Sequence, residues 1–170
     1  MNDISNAAAA TQAQEPVVVE RTYPASMREL WDLWTTKDGF ESWWGPEGFR
    51  VEVNALEARP DGLLDYDMIA DAPEAIAAME RMGQPLSHGT RGRFAEFRPF
   101  ERLSLVHVID FIAGMDPYES RIDVDFEPLG DRTRMVVTLH PHRDPHWSRM
   151  SAEGFGSQMG KLDRRFGTAA

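Results

Sequence analysis

Apolar positions along much of the chain recur at every second residue, which is the spacing of half-buried β-strands. The clearest stretch runs from Ser120 to Glu127, where Ile122, Val124 and Phe126 alternate with charged residues that we expect to face outward. Six further stretches rich in β-branched and apolar residues also predict strands, over 17–23, 49–55, 64–70, 90–97, 102–111 and 133–140. Short turns join most of these strands, so the pattern predicts an antiparallel sheet.

The end of the chain has a helical period instead. From Phe155, apolar residues return at Met159, Leu162 and Phe166, and these steps predict one buried face of a long helix over 147–166. Gly154, Gly156 and Gly160 lie inside this helix. Two interpretations remain open: the glycines let a strand backbone approach closely, or they leave space for a ligand beside the helix.

Shorter helical signals follow the first strand and interrupt the later ones. Ser26 with Glu29 forms a capping box that predicts a helix ended by Lys37-Asp38-Gly39. A second short helix is expected to carry Phe40, Trp43 and Trp44. A third is predicted over 73–82, with a first-turn proline, before a loop over 84–89.

This order of elements predicts the α+β class, in which one amphipathic helix is buried against one sheet. The length of 170 residues, with 42% hydrophobic residues, is enough for one domain with a real core. We interpret residues 1–16 as a disordered tail and residues 17–168 as a single domain with a helical insert at 71–89.

Four short motifs together carry a resemblance to a known family. The tetrad Trp43-Trp44-Gly45-Pro46 is the most specific of them. The others are Val18 to Pro24 followed by Leu30-Trp31, Gly92-Arg93-Phe94 followed by Pro99 and Arg102-Leu103, and Gly154-Phe155 followed by Met159 and Leu162. Through these motifs, residues 17–166 resemble the SRPBCC or START-like superfamily and, within it, homologues of the activator of the heat-shock protein 90 ATPase.

The resemblance implies the helix-grip fold, a curved seven-stranded antiparallel sheet around a long C-terminal helix, with two short helices after strand 1. It also implies an apolar cavity between helix and sheet. We expect this cavity to bind a ligand through Trp43, Trp44, Phe49, Tyr66, Met68, Phe94, Met135, Phe155 and Met159. The insert, with Ile76, Met79 and Met82, is expected beside the cavity mouth, either as a lid or as a surface excursion.

Charge and composition limit the classes of partner that the protein is expected to bind. The chain has 18 basic and 28 acidic residues, and a net charge of -10 argues against binding to nucleic acid or to an anionic membrane, both of which need a basic surface. Cysteine is absent, so neither disulfides nor thiolate chemistry is available, as is typical of a cytoplasmic protein. No cofactor motif is present.

Candidate catalytic and metal-binding residues are few. Glu96 alternates with Phe94 and could face inward near His107, which makes these two residues the weak candidates for acid–base catalysis. Paired carboxylates elsewhere, such as those from Asp123 to Glu127, are expected on a solvated face with cross-strand ion pairs. Three closely spaced histidines, with Asp144 among them, are the weak metal candidates: His140, His142 and His146.

These observations favour a cytoplasmic protein that binds a small hydrophobic ligand. Two alternatives remain. One is a cyclase- or hydrolase-like enzyme with a polar cluster in the same cavity. The other is a chaperone-interacting domain, which would need an exposed apolar patch, for instance around Trp43 and Trp44. No motif for chaperone docking is visible. The resemblance also allows a homodimer.

Overall fold

The computed structural model describes residues 15–110 and 114–167. The strands are β1 (Val17–Tyr23), β2 (Phe49–Leu56), β3 (Leu63–Ala70), β4 (Ser87–Arg98), β5 (Arg102–Ile109), β6 (Tyr118–Leu129) and β7 (Arg132–Leu139). They form one antiparallel seven-stranded sheet in the order β1-β7-β6-β5-β4-β3-β2. The tail predicted over 1–16 lies mostly outside the described residues, as does Phe111.

The helices are α1 (Met27–Thr35), α2 (Lys37–Glu41), α3 (Pro73–Arg81) and α4 (Pro145–Phe166). Helix α4 buries Phe155, Met159 and Leu162, which is the face that the spacing predicts. The α+β class and the helix-grip arrangement, a curved sheet with a long C-terminal helix and two short helices after β1, are therefore confirmed. No helix within the described ranges is long and apolar enough to cross a bilayer.

The first helices begin at hydroxyl caps. Ser26 Oγ accepts a hydrogen bond from the backbone N–H of Glu29 at 3.1 Å, as the predicted cap requires. Lys37-Asp38-Gly39 does not merely end α1 but starts α2, because Thr36 Oγ1 accepts from the N–H of Gly39 at 3.0 Å. Trp43 and Trp44 consequently follow α2 instead of lying in it, which corrects the prediction.

Strand β4 begins earlier than its apolar pattern suggests. Residues 87–89 were expected in a loop, but Ser87 and Gly89 pair with Ile69 and Asp67 of β3. The sequence there is polar and lacks alternation. It forms a strand because its backbone pairs with β3, and this pairing does not require buried side chains. The extension places His88 next to Met68 on the sheet.

The face of the sheet away from α4 is more enclosed than the alternation suggests. Asp123 was expected to face solvent, yet it is 6% exposed. It accepts hydrogen bonds from Ser104 at 2.5 Å and Arg121 at 2.8 Å, and it lies 2.6 Å from His140 Nε2. The long side chains of Arg121 on the same strand and Arg102 on β5 cover the carboxylate. Only the outer part of this face, such as the pair of Arg134 with Glu127, matches the predicted solvated ion pairs.

Candidate functional site

A cavity of about 430 Å³ lies between the sheet and the N-terminal half of α4. Its floor is formed by residues of five strands, which are Tyr66, Met68, His88, Thr90, His107, Ile109, Ser120, Ile122 and Leu139. Helix α4 covers the floor with Trp147, Met150, Ser151, Gly154, Phe155 and Gln158. The walls are completed by Trp44, Pro46, Phe49, Met79 and His142.

The structure divides the residues that were expected to bind a ligand into two groups. Those that line the cavity are Trp44, Phe49, Tyr66, Met68 and Phe155. Those that lie in the filled core, each 0% or 1% exposed and none lining the cavity, are Trp43, Phe94, Met135 and Met159. The strand and helix periods assign both groups to the same buried faces, so periodicity alone could not separate them.

Of the two interpretations of the helix glycines, the structure favours the open space at Gly154, whereas a Cβ atom on Gly160 would lie 3.5 Å from the side chain of Arg164. Gly154 lines the cavity, and a Cβ atom placed on it would meet no atom within 4 Å. Gly156, also without a neighbour within 4 Å, is exposed on another side of α4. No strand backbone approaches either position.

Helix α4 is held over the cavity by hydrogen bonds to the loop that follows Trp44. Gln158 Oε1 accepts from the N–H of Gly45 at 2.9 Å, and Ser157 Oγ accepts from the N–H of Glu47 at 3.0 Å. Gly45 has a φ of 99°, a conformation that favours glycine and turns the backbone N–H toward the helix. The Trp-Trp-Gly-Pro segment thus both lines the cavity and anchors its cover.

Helix α3 forms part of the cavity wall. Met79 lines the cavity, whereas Met82 is 62% exposed. The start of α3 is attached to the main body, because the carbonyl of Gly48 accepts from the N–H groups of Asp71 and Ala72 at 2.8 and 3.0 Å. Whether α3 moves as a lid stays a prediction.

A chain of hydrogen bonds crosses one side of the cavity. Trp44 Nε1 donates to the hydroxyl oxygen of Tyr66 at 3.0 Å, and that hydroxyl lies 3.1 Å from Nε2 of His107. Burial raises the pKa of Tyr66, and hydrogen bonds from Trp44 and Thr90 oppose this shift without cancelling it. Burial and the nearby His142 lower the pKa of His107 to about 4. Both groups are therefore neutral at pH 7.

A second polar cluster is formed by His142, which follows β7, and two residues of β6. His142 Nδ1 is 2.6 Å from the hydroxyl of Tyr118, and its Nε2 is 3.3 Å from Oγ of Ser120. Burial lowers the pKa of His142, so this imidazole is also neutral at pH 7. Ser120 is the sheet partner of His107, so the two clusters are adjacent on the cavity floor.

The pairing of Glu96 with His107 is wrong. The register of β4 on β5 shifts between Phe94 and Glu96, so Glu96 lies opposite Ser104 on the face away from α4. There it accepts a hydrogen bond from Arg102 Nε at 2.8 Å. The hydrogen bond from Arg102, with one from Ser104, lowers the pKa of Glu96. Of the two catalytic candidates, only His107 lies in the cavity.

The three closely spaced histidines have separate surroundings. His140 contacts Asp123 on the face away from α4, and His142 lies in the cavity wall. His146 lies in the first turn of α4, where the Asp144 carboxylate accepts a hydrogen bond from its backbone N–H at 2.8 Å. Among the residues that the structure describes, no three side chains of the metal-binding types come together to hold an ion.

Several lining residues were not predicted: His88, Thr90, Ile109, Ser120, Leu139, His142 and Gln158. Most lie on strands at positions with the same orientation as a predicted neighbour. Thr90 pairs with Tyr66 and Ser120 pairs with His107, so correct strand pairing would have identified both. Gln158 has no such signal, because it occupies a polar position on the edge of the apolar helix face.

The patch suggested for chaperone binding does not form as expected. Trp43 is 1% exposed and Trp44 is 5% exposed, so both belong to the interior. Trp43 Nε1 donates to the carbonyl of Leu33 at 2.9 Å, which fixes this ring between α1 and α4. These tryptophans therefore act in the architecture of the cavity and core instead of on the surface.

Comparison with known proteins identifies a family and several solved structures with a similar fold. The family described as Activator of Hsp90 ATPase homolog 1-like protein matches residues 24–167. A protein of Chromobacterium violaceum is similar in structure, with 21% identity, a TM-score of 0.68, and coverage of 89% of this chain and 96% of its own. The AHSA1 protein of Silicibacter pomeroyi has 19% identity, a TM-score of 0.69 and the same coverage. No functionally curated protein matches the chain significantly.

Proposed function

The chain belongs to the family of Activator of Hsp90 ATPase homolog 1-like proteins, and on that premise we propose that it binds a small hydrophobic molecule in the cavity under α4. The observation that carries this proposal is the cavity itself, whose volume of about 430 Å³ is within the range of small-molecule sites. Most of its lining is aromatic and aliphatic, with a few polar groups on the floor.

The helix sequence also supports ligand binding. A glycine inside a helix costs about 1 kcal/mol relative to alanine, and Gly154 receives no packing contact in return. The Cβ atom of an alanine would meet no atom within 4 Å there, so a glycine is not required to avoid a clash. Methionines in the walls, Met68, Met79 and Met150, can adapt their shape to a ligand.

The test is to fill the cavity from the helix. N-phenyl-1-naphthylamine is an uncharged apolar dye whose fluorescence rises in apolar sites, and we expect saturable binding to the native protein. Gly154→Leu should reduce dye binding at least tenfold, because the new side chain projects into the space that the dye would occupy. The measurement is a fluorescence titration.

The matched control is Gly156→Leu in the same helix. Its new side chain also meets open space but on an exposed side of α4, so dye binding should stay within twofold of the native value. Absence of dye binding to the native protein, or an equal effect of the two variants, would contradict the proposal. Native mass spectrometry of the purified protein would then identify any molecule that copurifies.

The remaining features of the proposal concern context. We place the protein in the cytoplasm, in keeping with its lack of cysteine. Pairing into a homodimer and binding of a chaperone stay predictions that rest on the family.

A further inference from the structure

The cavity contains no charged side chain among the described residues that line it. Its lining includes neither aspartate, glutamate, lysine nor arginine. Its titratable groups are Tyr66 and the imidazoles of His88, His107 and His142. Burial lowers the pKa of His107 and of His142, so neither of these two carries a charge at pH 7. A charged ligand group would thus be buried here without a lysine or arginine, or an acidic side chain, to compensate it, which is costly.

The polar groups that the cavity leaves unpaired are donors. Gln158 is 4% exposed, and the N–H of Gly45 fixes which end of its amide is the oxygen, because a backbone N–H can only donate. The amide nitrogen of Gln158 has no hydrogen-bond partner among the described residues. The other buried nitrogen in this condition, Nε1 of Trp34, lies in the aromatic core and does not line the cavity.

His107 adds a second donor. Trp44 Nε1 can only donate to the Tyr66 oxygen, and we assign the Tyr66 hydroxyl proton to the bond with Nε2 of His107. A neutral imidazole that accepts at Nε2 carries its proton at Nδ1. His107 lines the cavity, so under this assignment the N–H of Nδ1 is the second donor.

We propose that the ligand is an uncharged, largely apolar molecule that carries a carbonyl-type oxygen, a hydrogen-bond acceptor for Gln158 and His107. A ketone, an ester and a quinone all have this chemistry, whereas a fatty acid or another carboxylate does not at neutral pH. This inference rests on the proposed function, because it specifies the ligand of the same cavity. It assigns Gln158 two roles, with its oxygen anchoring Gly45 and its nitrogen binding the ligand.

The test uses three probes with the same naphthalene body and the same number of heavy atoms. 2-Acetylnaphthalene has the acceptor, 2-isopropenylnaphthalene replaces its oxygen with a methylene group, and 2-naphthoate replaces its methyl group with a charged oxygen. Each competes with N-phenyl-1-naphthylamine on the native protein at pH 7. The ketone should bind about 2- to 10-fold more tightly than the hydrocarbon, the effect of one neutral hydrogen bond. The carboxylate should not displace the dye at concentrations where the ketone has saturated the site.

Gln158→Met locates the effect. It removes the amide donor at similar volume and leaves only His107 to donate, so the advantage of the ketone over the hydrocarbon should become smaller while both still displace the dye. Because the variant also removes the Gly45 contact, its fold is checked by circular dichroism, and the comparison of probes on the native protein stands without it.

Each outcome is decisive. If the dye itself does not bind, the proposed function fails. If the dye binds but the carboxylate competes as well as the ketone, or the ketone has no advantage over the hydrocarbon, or no probe competes, the inference about the ligand is overturned and the cavity remains a binding site.

Discussion

The two ends of the space between the sheet and α4 differ in how completely they are filled. At the C-terminal end of the helix, Met159 and Leu162 pack against residues such as Phe94 and Met135, all of them 0% exposed. At the N-terminal end, the helix passes over a cavity of about 430 Å³ at Gly154. The aromatic and methionine side chains are similar at both ends.

The difference teaches that amino-acid type does not distinguish core from binding site here. The filled end includes Trp34 of α1 and Trp43, which follows α2, and these two rings pack in the same core cluster with centroids 5.0 Å apart. At the hollow end, Trp44 lines the cavity wall instead of filling the space. Helix α3 reaches its edge and contributes Met79 but has no buried residue of its own. Three tests would break or sharpen this comparison.

The largest expected effect is on stability at the filled end. Phe94→Ala should lower the free energy of unfolding by about 3–5 kcal/mol, because it leaves a void in a closed core. Phe49→Ala should have less than half that effect, since Phe49 is only partly buried and faces an open cavity. Urea unfolding of the two variants measures both. Equal losses would mean that the two ends are packed alike.

His107, at the hollow end, should make the folded protein less stable in mild acid. The folded-state pKa of His107 is about 4, below the ordinary value of 6.5, because of burial and the nearby His142. The unfolded chain therefore binds a proton that the folded chain does not, and stability is full above pH 6.5 and falls toward pH 4. We expect a loss of about 2–3 kcal/mol between pH 7 and pH 4.5 from this group.

Urea unfolding of the native protein and of His107→Phe at the two pH values measures this contribution. The variant should lose most of the pH dependence, and His146→Gln, at an exposed histidine outside the cavity, serves as the control. An unchanged slope in His107→Phe would show that other groups cause the acid sensitivity.

The smallest expected effect is a gain. Gly154→Ala should raise the free energy of unfolding by about 0.5–1 kcal/mol, because alanine favours the helix and its Cβ meets no atom within 4 Å. Gly39→Ala in α2 should destabilise the protein, since its Cβ would lie 2.1 Å from the carbonyl oxygen of Asp32. Thermal unfolding compares the two variants. A destabilised Gly154→Ala would contradict the open space beside α4.

Local sequence signals predicted the elements well. Alternation gave the strand β6, the hydroxyl caps gave the start of α1, and the step from Phe155 to Met159 and Leu162 gave the buried face of α4. Signals were weaker where backbone pairing replaces side-chain burial. The polar start of β4 at Ser87 was missed for that reason.

The candidate site was predicted only in part. Of the residues expected to bind a ligand, Trp44, Tyr66 and Phe155 line the cavity, but the same reasoning included Trp43 and Met135, which lie in the core. Glu96 was assigned to the wrong face because a bulge in β4 changes the alternation, and a bulge leaves no clear mark in the sequence.

The sequence by itself determined the class, the order of the elements and which faces are buried, because these follow from the local periods of strand and helix. Only the tertiary structure decided where the buried space is filled and where it is empty. That outcome depends on contacts between elements far apart in the chain, such as the hydrogen bond of Gln158 with Gly45, which joins α4 to the loop after Trp44. The tertiary structure also brings His107 beside Ser120 and Tyr66, since strand register determines which polar groups meet on the cavity floor.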